Sequence, residues 1–260
     1  EDKRFPYLVG KLLSKYGRKI NTYNGGKSGN HSLHSINRLL NDGLRLNPDI
    51  AVLMHNVNDL HYLIYEGNYW SHNKKRGLIK VSQNISNHEH ATIKNFIQRL
   101  IPNIYKRLFI LKNILLDNQV NPHAFKTKDD DFIPQNNNQI LESFEKSIRT
   151  FIEICQIHNV TPILLTQFNR FTETPDMKML KSMKTMMSIM EYDDYKQLYD
   201  SLNSKLRDIS TNKNITLIDL DRLIPKDTLH MQDAIHLTEK GSVYVSEIVS
   251  NALEDIILDK

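Results

Sequence analysis

Pro48-Asp49-Ile50-Ala51-Val52-Leu53-Met54-His55-Asn56-Val57-Asn58-Asp59 is the stretch on which the fold turns. The run from Ile50 to Met54 is apolar without alternation. A short strand of that kind is buried on both faces, as parallel strands are when helices cover the two sides of a sheet. Upstream, His31 to Asp42 reads as a helix, with Leu33, Ile36, Leu39 and Leu40 inward and Gly43 as its stop. Before it come a Gly-rich loop, Asn24 to Asn30, and a short strand, Arg18 to Tyr23. Phe5 to Tyr16 is a further helix, with Pro6 in its first turn, Leu8, Val9, Leu12 and Leu13 as its stripe, and Gly17 at its end. Helix, strand, helix, strand in succession is the pattern of a parallel sheet with helices on its faces.

Downstream the rhythm breaks. From His61 to Asn138 the chain is rich in Asn, Lys, His and Tyr, and Ala91 to Leu116 carries a long amphipathic helical pattern. We read 61–138 as a helical cap inserted into a single domain spanning 1–260. Alternation then resumes. Gln139 to His158 is a helix, Pro162 to Thr166 a strand, Tyr192 to Ser210 a helix, Ile215 to Asp219 the last strand and Glu239 to Leu258 the closing helix. The Met-rich stretch from Met177 to Met190 reads as adaptable packing or a lid.

The chain has 260 residues, 40% of them hydrophobic and 25% charged, which is enough for one sizeable core. Its net charge of +4 is spread along the sequence rather than massed in a stripe, so nucleic acid is not an expected partner. Cys155 lies in the helical pattern of Phe151, Ile152 and Ile154 and reads as a core residue; a lone cysteine forms no intrachain disulfide. No apolar run approaches the ~18 residues of a membrane span, and no signal peptide is visible. His88-Glu89-His90 and the other histidines lack metal-ligand spacing, so neither metal nor cofactor is expected. The chain opens on Glu1-Asp2-Lys3-Arg4 without a methionine, and we expect residues ahead of it.

In an open parallel sheet, ligands bind beyond the carboxyl ends of the strands. The segments Asn24–Asn30, His55–Leu60 and Thr166–Phe171 each follow an expected strand, and Asp233-Ala234-Ile235-His236 follows the last one after a loop. An Asp three residues ahead of a His can fold back so that its carboxylate holds one ring nitrogen, leaving the other as a general base. Blander readings stand beside this one. The glycines can simply make a turn, Asn58-Asp59 can cap a helix, and His236 can cap the closing helix. Gly26-Lys27-Ser28 echoes a phosphate-binding loop, but Asn21 stands where that pattern needs its first glycine. Ser28 lacks the second glycine of a nucleophile elbow, since position 30 is Asn30.

Taken together, these segments resemble the SGNH (GDSL-type) serine esterases. Asn24-Gly25-Gly26-Lys27-Ser28-Gly29 resembles the family's second block, Asn56-Val57-Asn58-Asp59 its G-x-N-D block, and Asp233-Ala234-Ile235-His236 its last block. The resemblance covers nearly the whole chain outside the insertion. It implies a three-layer α/β/α sandwich with a flavodoxin-like parallel sheet, and an acyl-serine mechanism needing no cofactor. It also assigns roles. His236 would be the general base, Asp233 its orienting carboxylate, and the Gly29 N–H with the Asn58 amide the oxyanion donors. Two departures matter. Asn56 stands where the block has glycine, and we expect it to tolerate a left-handed backbone. The Gly-Asp-Ser block with the nucleophile is absent, and the resemblance places it, on a central strand, ahead of Glu1. Without it the chain would be inactive.

Tyr62, Tyr65, Tyr69 and Trp70 cluster after the oxyanion block, and Asn56, Tyr69 and Trp70 are candidate substrate contacts. The expected substrate is a small-molecule or glycan ester, an O-acetylated saccharide first. Alternatively these aromatics pack the cap onto the body. A non-catalytic carbohydrate-binding or structural relative is the other reading of the chain, and a nucleotide binder at Gly26-Lys27-Ser28 a remoter one.

Overall fold

In the computed structural model, residues 3–16, 20–70, 136–183 and 190–258 are described. The sheet at the centre has three parallel strands in the order β1 (Ile50–Met54), β2 (Thr161–Leu165), β3 (Leu217–Ile218). Met54 pairs with Leu165, and Leu165 with Ile218, so all three strands end at one edge. Alternate residues of β2 serve opposite faces. Ile163 and Leu165, with Ile218 of β3, pack against Val9 and Leu13 of α1 (Phe5–Leu13) and Val245, Val249 and Leu253 of α8 (Glu239–Leu258). Leu164, also fully buried, points the other way. On that side lie α4 (Asn137–Ile157) and α6 (Tyr192–Lys213), which pack on each other and on β2. Helices therefore cover both faces of the sheet at β2. β1, expected to be buried on both faces, has only Leu53 buried and Val52 43% exposed, because it stands at the edge of the described sheet.

Several elements differ from their sequence reading. No strand forms over residues 20–23; the backbone there is irregular and mostly exposed, because no neighbouring strand among the described residues offers it a ladder. A strand without a partner leaves its N–H and C=O groups to water and gains nothing from being extended. This also removes the strand that a phosphate-binding loop at Gly26-Lys27-Ser28 would need. Gly43 does not end its helix. After α2 (Ser32–Arg38) the chain continues through a π turn, Leu39–Gly43, and a 3₁₀ turn, Leu44–Leu46, and it is Asn47, at φ 48°, that turns left-handed and stops it. The last strand is shorter than expected. Asp219, just beyond it, is held by Thr166 and by the Arg207 guanidinium, which bridges Asp219 and Asp221 at 2.7–2.8 Å. These contacts fix the ends of β2 and β3 beside each other.

Residues 61–66 belong to α3 (Val57–Glu66), so they are part of the body. The expected cap helix, Ala91–Leu116, lies outside the described residues. In the Met-rich stretch a short helix, α5 (Met177–Ser182), forms, and Met179 and Met183 are buried. Cys155 is fully buried in α4, and burial pushes its thiol up to about 12. No helix among the described residues is long and apolar enough to cross a membrane. A four-residue helix, α7 (Leu220–Leu223), completes the described elements after β3.

Candidate active site

Four loops meet beyond the carboxyl edge of the sheet, laced by single hydrogen bonds. The Asn58 amide donates to the Asn30 carbonyl at 2.9 Å, joining the exit of β1 to the Gly-rich loop. The Val57 N–H donates to Gln167 Oε1 at 2.9 Å, joining it to the exit of β2. The Arg170 N–H donates to the Ala234 carbonyl at 2.9 Å, joining that segment to the Asp233–His236 loop. The loops that carry Gly29, Asn58 and the Asp233–His236 pair are thus linked in series by hydrogen bonds.

Gly29 has φ +78°, in the left-handed region that favours glycine. The turn it makes is closed by the Asn30 N–H on the Lys27 carbonyl at 3.1 Å, and no hydrogen bond among the described residues takes the Gly29 N–H. Asn58 stands in the first turn of α3, its amide reaching the residue next to Gly29. Two neutral donors from different loops are thereby brought to adjoining positions.

The Asp233–His236 pair is built more tightly. Asp233 Oδ1 accepts the backbone N–H groups of Ile235 (2.9 Å) and His236 (2.8 Å), which curls the loop and leaves Oδ2 2.8 Å from His236 Nδ1. Burial raises the Asp233 pKa, but the two N–H donors and the imidazole outweigh it and hold the carboxyl below its usual value. A carboxylate cannot donate, so Nδ1 carries the proton and Nε2 presents a lone pair. The His236 side chain is 64% exposed, and no hydrogen bond among the described residues occupies its ring beyond the one to Asp233. Neither Ser28 nor any other described hydroxyl bonds to it.

The loop itself is pinned from both ends. Met231 and Leu237 form an antiparallel bridge, with Gln232 N–H on the His236 carbonyl and Thr238 N–H on the His230 carbonyl, each at 2.9 Å. The helix cap that His236 might have supplied comes from Thr238, whose hydroxyl accepts the Gly241 N–H at 3.0 Å. Gly241 rests against the same loop: a Cβ there would stand 1.9 Å from the His230 carbonyl oxygen. Gly241→Ala must therefore push the loop aside. We expect its thermal midpoint to fall below that of the wild type, as backbone overpacking in a closely packed loop costs about 1–3 kcal/mol, with the far-ultraviolet circular dichroism unchanged at low temperature.

Sequence reasoning missed a second pair. Asp227-Thr228-Leu229-His230 has the same spacing six residues earlier and folds the same way, with Asp227 Oδ1 accepting from Leu229, His230 and His230 Nδ1 at 2.8–2.9 Å. The repeated D-x-x-H was the available signal. Its ring differs in setting: His230 lies 5.0 Å from the Tyr244 ring and its side chain is only 15% exposed.

The proposed substrate contacts separate. Asn56 is fully buried, and its amide donates to the Tyr199 carbonyl and Asn203 Oδ1 of α6, each at 2.9 Å, so its side chain faces the core and contacts no substrate. Its φ of −164° is extended, not left-handed, so the position makes no demand for glycine. Tyr69 is also buried, its ring near-parallel to Tyr62 and its hydroxyl donating to Asp59 at 2.5 Å. Its role is internal packing, which corrects the substrate-contact reading. Trp70, at 75% exposed, is the aromatic of the cluster left on the surface.

No protein-family model matches the chain, and no curated protein does. Solved structures do. LAE5, an alpha/beta hydrolase from a Lake Arreo metagenome, superposes with a TM-score of 0.53 at 15% identity, over 96% of this chain and 81% of its own. A lipolytic protein of the G-D-S-L family from Desulfitobacterium hafniense gives 0.50 at 12%, over 97% and 89%. The fold is the three-layer α/β/α arrangement of these hydrolase structures. A catalytic mutant of an acetylxylan esterase from Geobacillus stearothermophilus superposes with a TM-score of 0.50 at 13% identity over 96% of this chain and 80% of its own.

Proposed function

We propose that this SGNH-fold chain is the body of a serine esterase. The observation that carries the reading is the His236 ring, its Nδ1 fixed on Asp233 at 2.8 Å and its outer nitrogen left to solvent at the carboxyl edge of a parallel sheet. In this reading His236 takes the proton of a nucleophilic serine and returns it to the leaving alcohol. Asp233 holds the tautomer and stabilises the imidazolium. Gly29 N–H and the Asn58 amide receive the oxyanion, a donor of that kind being worth about 3–4 kcal/mol in the transition state. The nucleophile of this reading is the serine that the labelling below identifies. β1 has no partner on its outer edge among the described residues, and Val52 there is 43% exposed. The substrate we propose is an O-acetylated saccharide, consistent with the acetylxylan esterase among the fold neighbours.

The test is fluorophosphonate labelling of the protein expressed from its full gene, with the adduct located by peptide mass. A serine whose labelling is lost in His236→Ala should be modified. Asn58→Ala should lower kcat on an acetyl ester about 100- to 1,000-fold while the labelled position stays the same. A folded protein with no serine whose labelling depends on His236 would overturn the assignment.

A further inference from the structure

A Ser-His-Asp chain of hydrogen bonds lies within the described residues, apart from the Asp233–His236 pair. Asp59 Oδ2 is 3.1 Å from His55 Nδ1, and His55 Nε2 is 2.7 Å from the hydroxyl of Ser35. Asp59 is fully buried; burial alone would raise its pKa, yet the His55 charge and the hydrogen bonds from His55, Ser32 and Tyr69 hold it lower, so it stays ionised. An ionised carboxylate only accepts. In the neutral ring the proton therefore sits on Nδ1, Nε2 is the acceptor, and Ser35 is the donor. That is the order in which an acid, a base and a nucleophile must stand.

Helical hydroxyls of this chain bond in two ways. Ser14, Thr150 and Ser201 each turn back to the carbonyl four residues earlier, at 2.7–2.8 Å. That is the usual local bond of a hydroxyl on a helix. Ser35, in α2, sends its hydroxyl across to the end of β1 instead, and it is only half-buried. Ser143 and Ser147 of α4 also reach across to other elements. The His55 side chain is 11% exposed, so the base is largely shielded from water, while Ser35 keeps part of its surface exposed.

We propose that Ser35 is a second activated nucleophile of this protein, with His55 as its base and Asp59 orienting His55, and that it accepts an acyl group from reactive esters. In the step, Ser35 Oγ bonds to the ester carbonyl carbon and its proton passes to His55 Nε2. The carbon–oxygen bond to the alcohol breaks, and the leaving oxygen takes that proton from His55. The products are acyl-Ser35 and the free alcohol, one acyl group per chain.

The test uses the full-length protein with p-nitrophenyl acetate and, separately, a fluorophosphonate, each followed by peptide mapping. Modification of the peptide containing Ser35 is expected, lost in Ser35→Ala and retained in His236→Ala. His55→Gln should slow modification of Ser35 about 100-fold or more, the usual contribution of a positioned base. An unmodified Ser35 in protein that circular dichroism shows to be folded overturns the proposal, whatever other serine reacts. Equal modification in His55→Gln overturns it as well. Because the adducts fall on different peptides, this result is independent of the serine sought for His236.

Discussion

In the full-length protein, His236→Ala is expected to abolish turnover of an acetyl ester, lowering kcat by at least about 10,000-fold with little change in KM. Removing the base of a serine triad has costs of that order, because nucleophile and base act as a unit. Stability should scarcely change. The His236 side chain is 64% exposed and its single side-chain bond goes to Asp233. Asp233→Asn should cost about 10,000-fold too, by a different route. An amide can offer its N–H to Nδ1, which forces the proton onto Nε2 and takes away the lone pair. Asp233→Asn also keeps an oxygen for the backbone N–H groups of Ile235 and His236, so the loop should hold its shape. The measurement is steady-state kinetics on an aryl acetate, with a thermal melt of each variant. Turnover within tenfold of wild type in a folded His236→Ala protein would end the esterase reading.

Asp59→Ala should be the most destabilising single change in the described residues, by about 3–5 kcal/mol, as for the breaking of a buried charge pair. The Asp59 carboxylate, with none of its surface exposed, ties four parts of the chain together. It accepts the backbone N–H of Ser32 at 2.9 Å, faces His55 at 3.1 Å and receives the Tyr69 hydroxyl at 2.5 Å. Ser32 in turn bonds Ser147 of α4 at 2.6 Å. Truncation would strand a buried N–H, a tyrosine hydroxyl and an imidazole, each of which costs free energy when unpaired. Urea unfolding should show a lower midpoint at unchanged slope. The same carboxylate predicts an acid limb. Its folded pKa lies below its unfolded one, so its contribution is complete above the ordinary carboxylate value near ~4 and is lost as pH falls through the depressed folded value. Asp59→Asn should flatten that limb. A stability indistinguishable from wild type in Asp59→Ala would show that the buried cluster is not what holds α2 to α3.

These two aspartates show how differently a site and its support can be read. Asp233 and His236 lie within four residues of each other, so their pairing needs only a local turn. That much was legible from spacing. Asp59 was legible as a member of a block but not as a clasp, because its partners Ser32 and Tyr69 come from other segments and carry no shared pattern. Asn56 misled for the same reason. Its neighbours along the chain suggested a turn beside substrate, whereas α6, more than 140 residues on, supplies the carbonyl and amide that draw it inward. Tyr69 was read as a binding surface and proved to be an interior donor.

By itself the sequence determined β1 to the residue, the start of the helix before it, the closing helix and the Asp233–His236 pair. All are set by local periodicity, by turn residues or by short spacing, which the chain carries wherever it goes. Tertiary structure alone decided the rest. An isolated extended segment cannot be a strand, so residues 20–23 failed for want of a neighbour that no local pattern reveals. The Gly241 contact with the His230 carbonyl, the lacing of four loops at the sheet edge and the Ser35–His55–Asp59 order exist only once distant segments are packed. Hydrogen bonds act over about 3 Å, and chain distance says nothing about which groups will come that close.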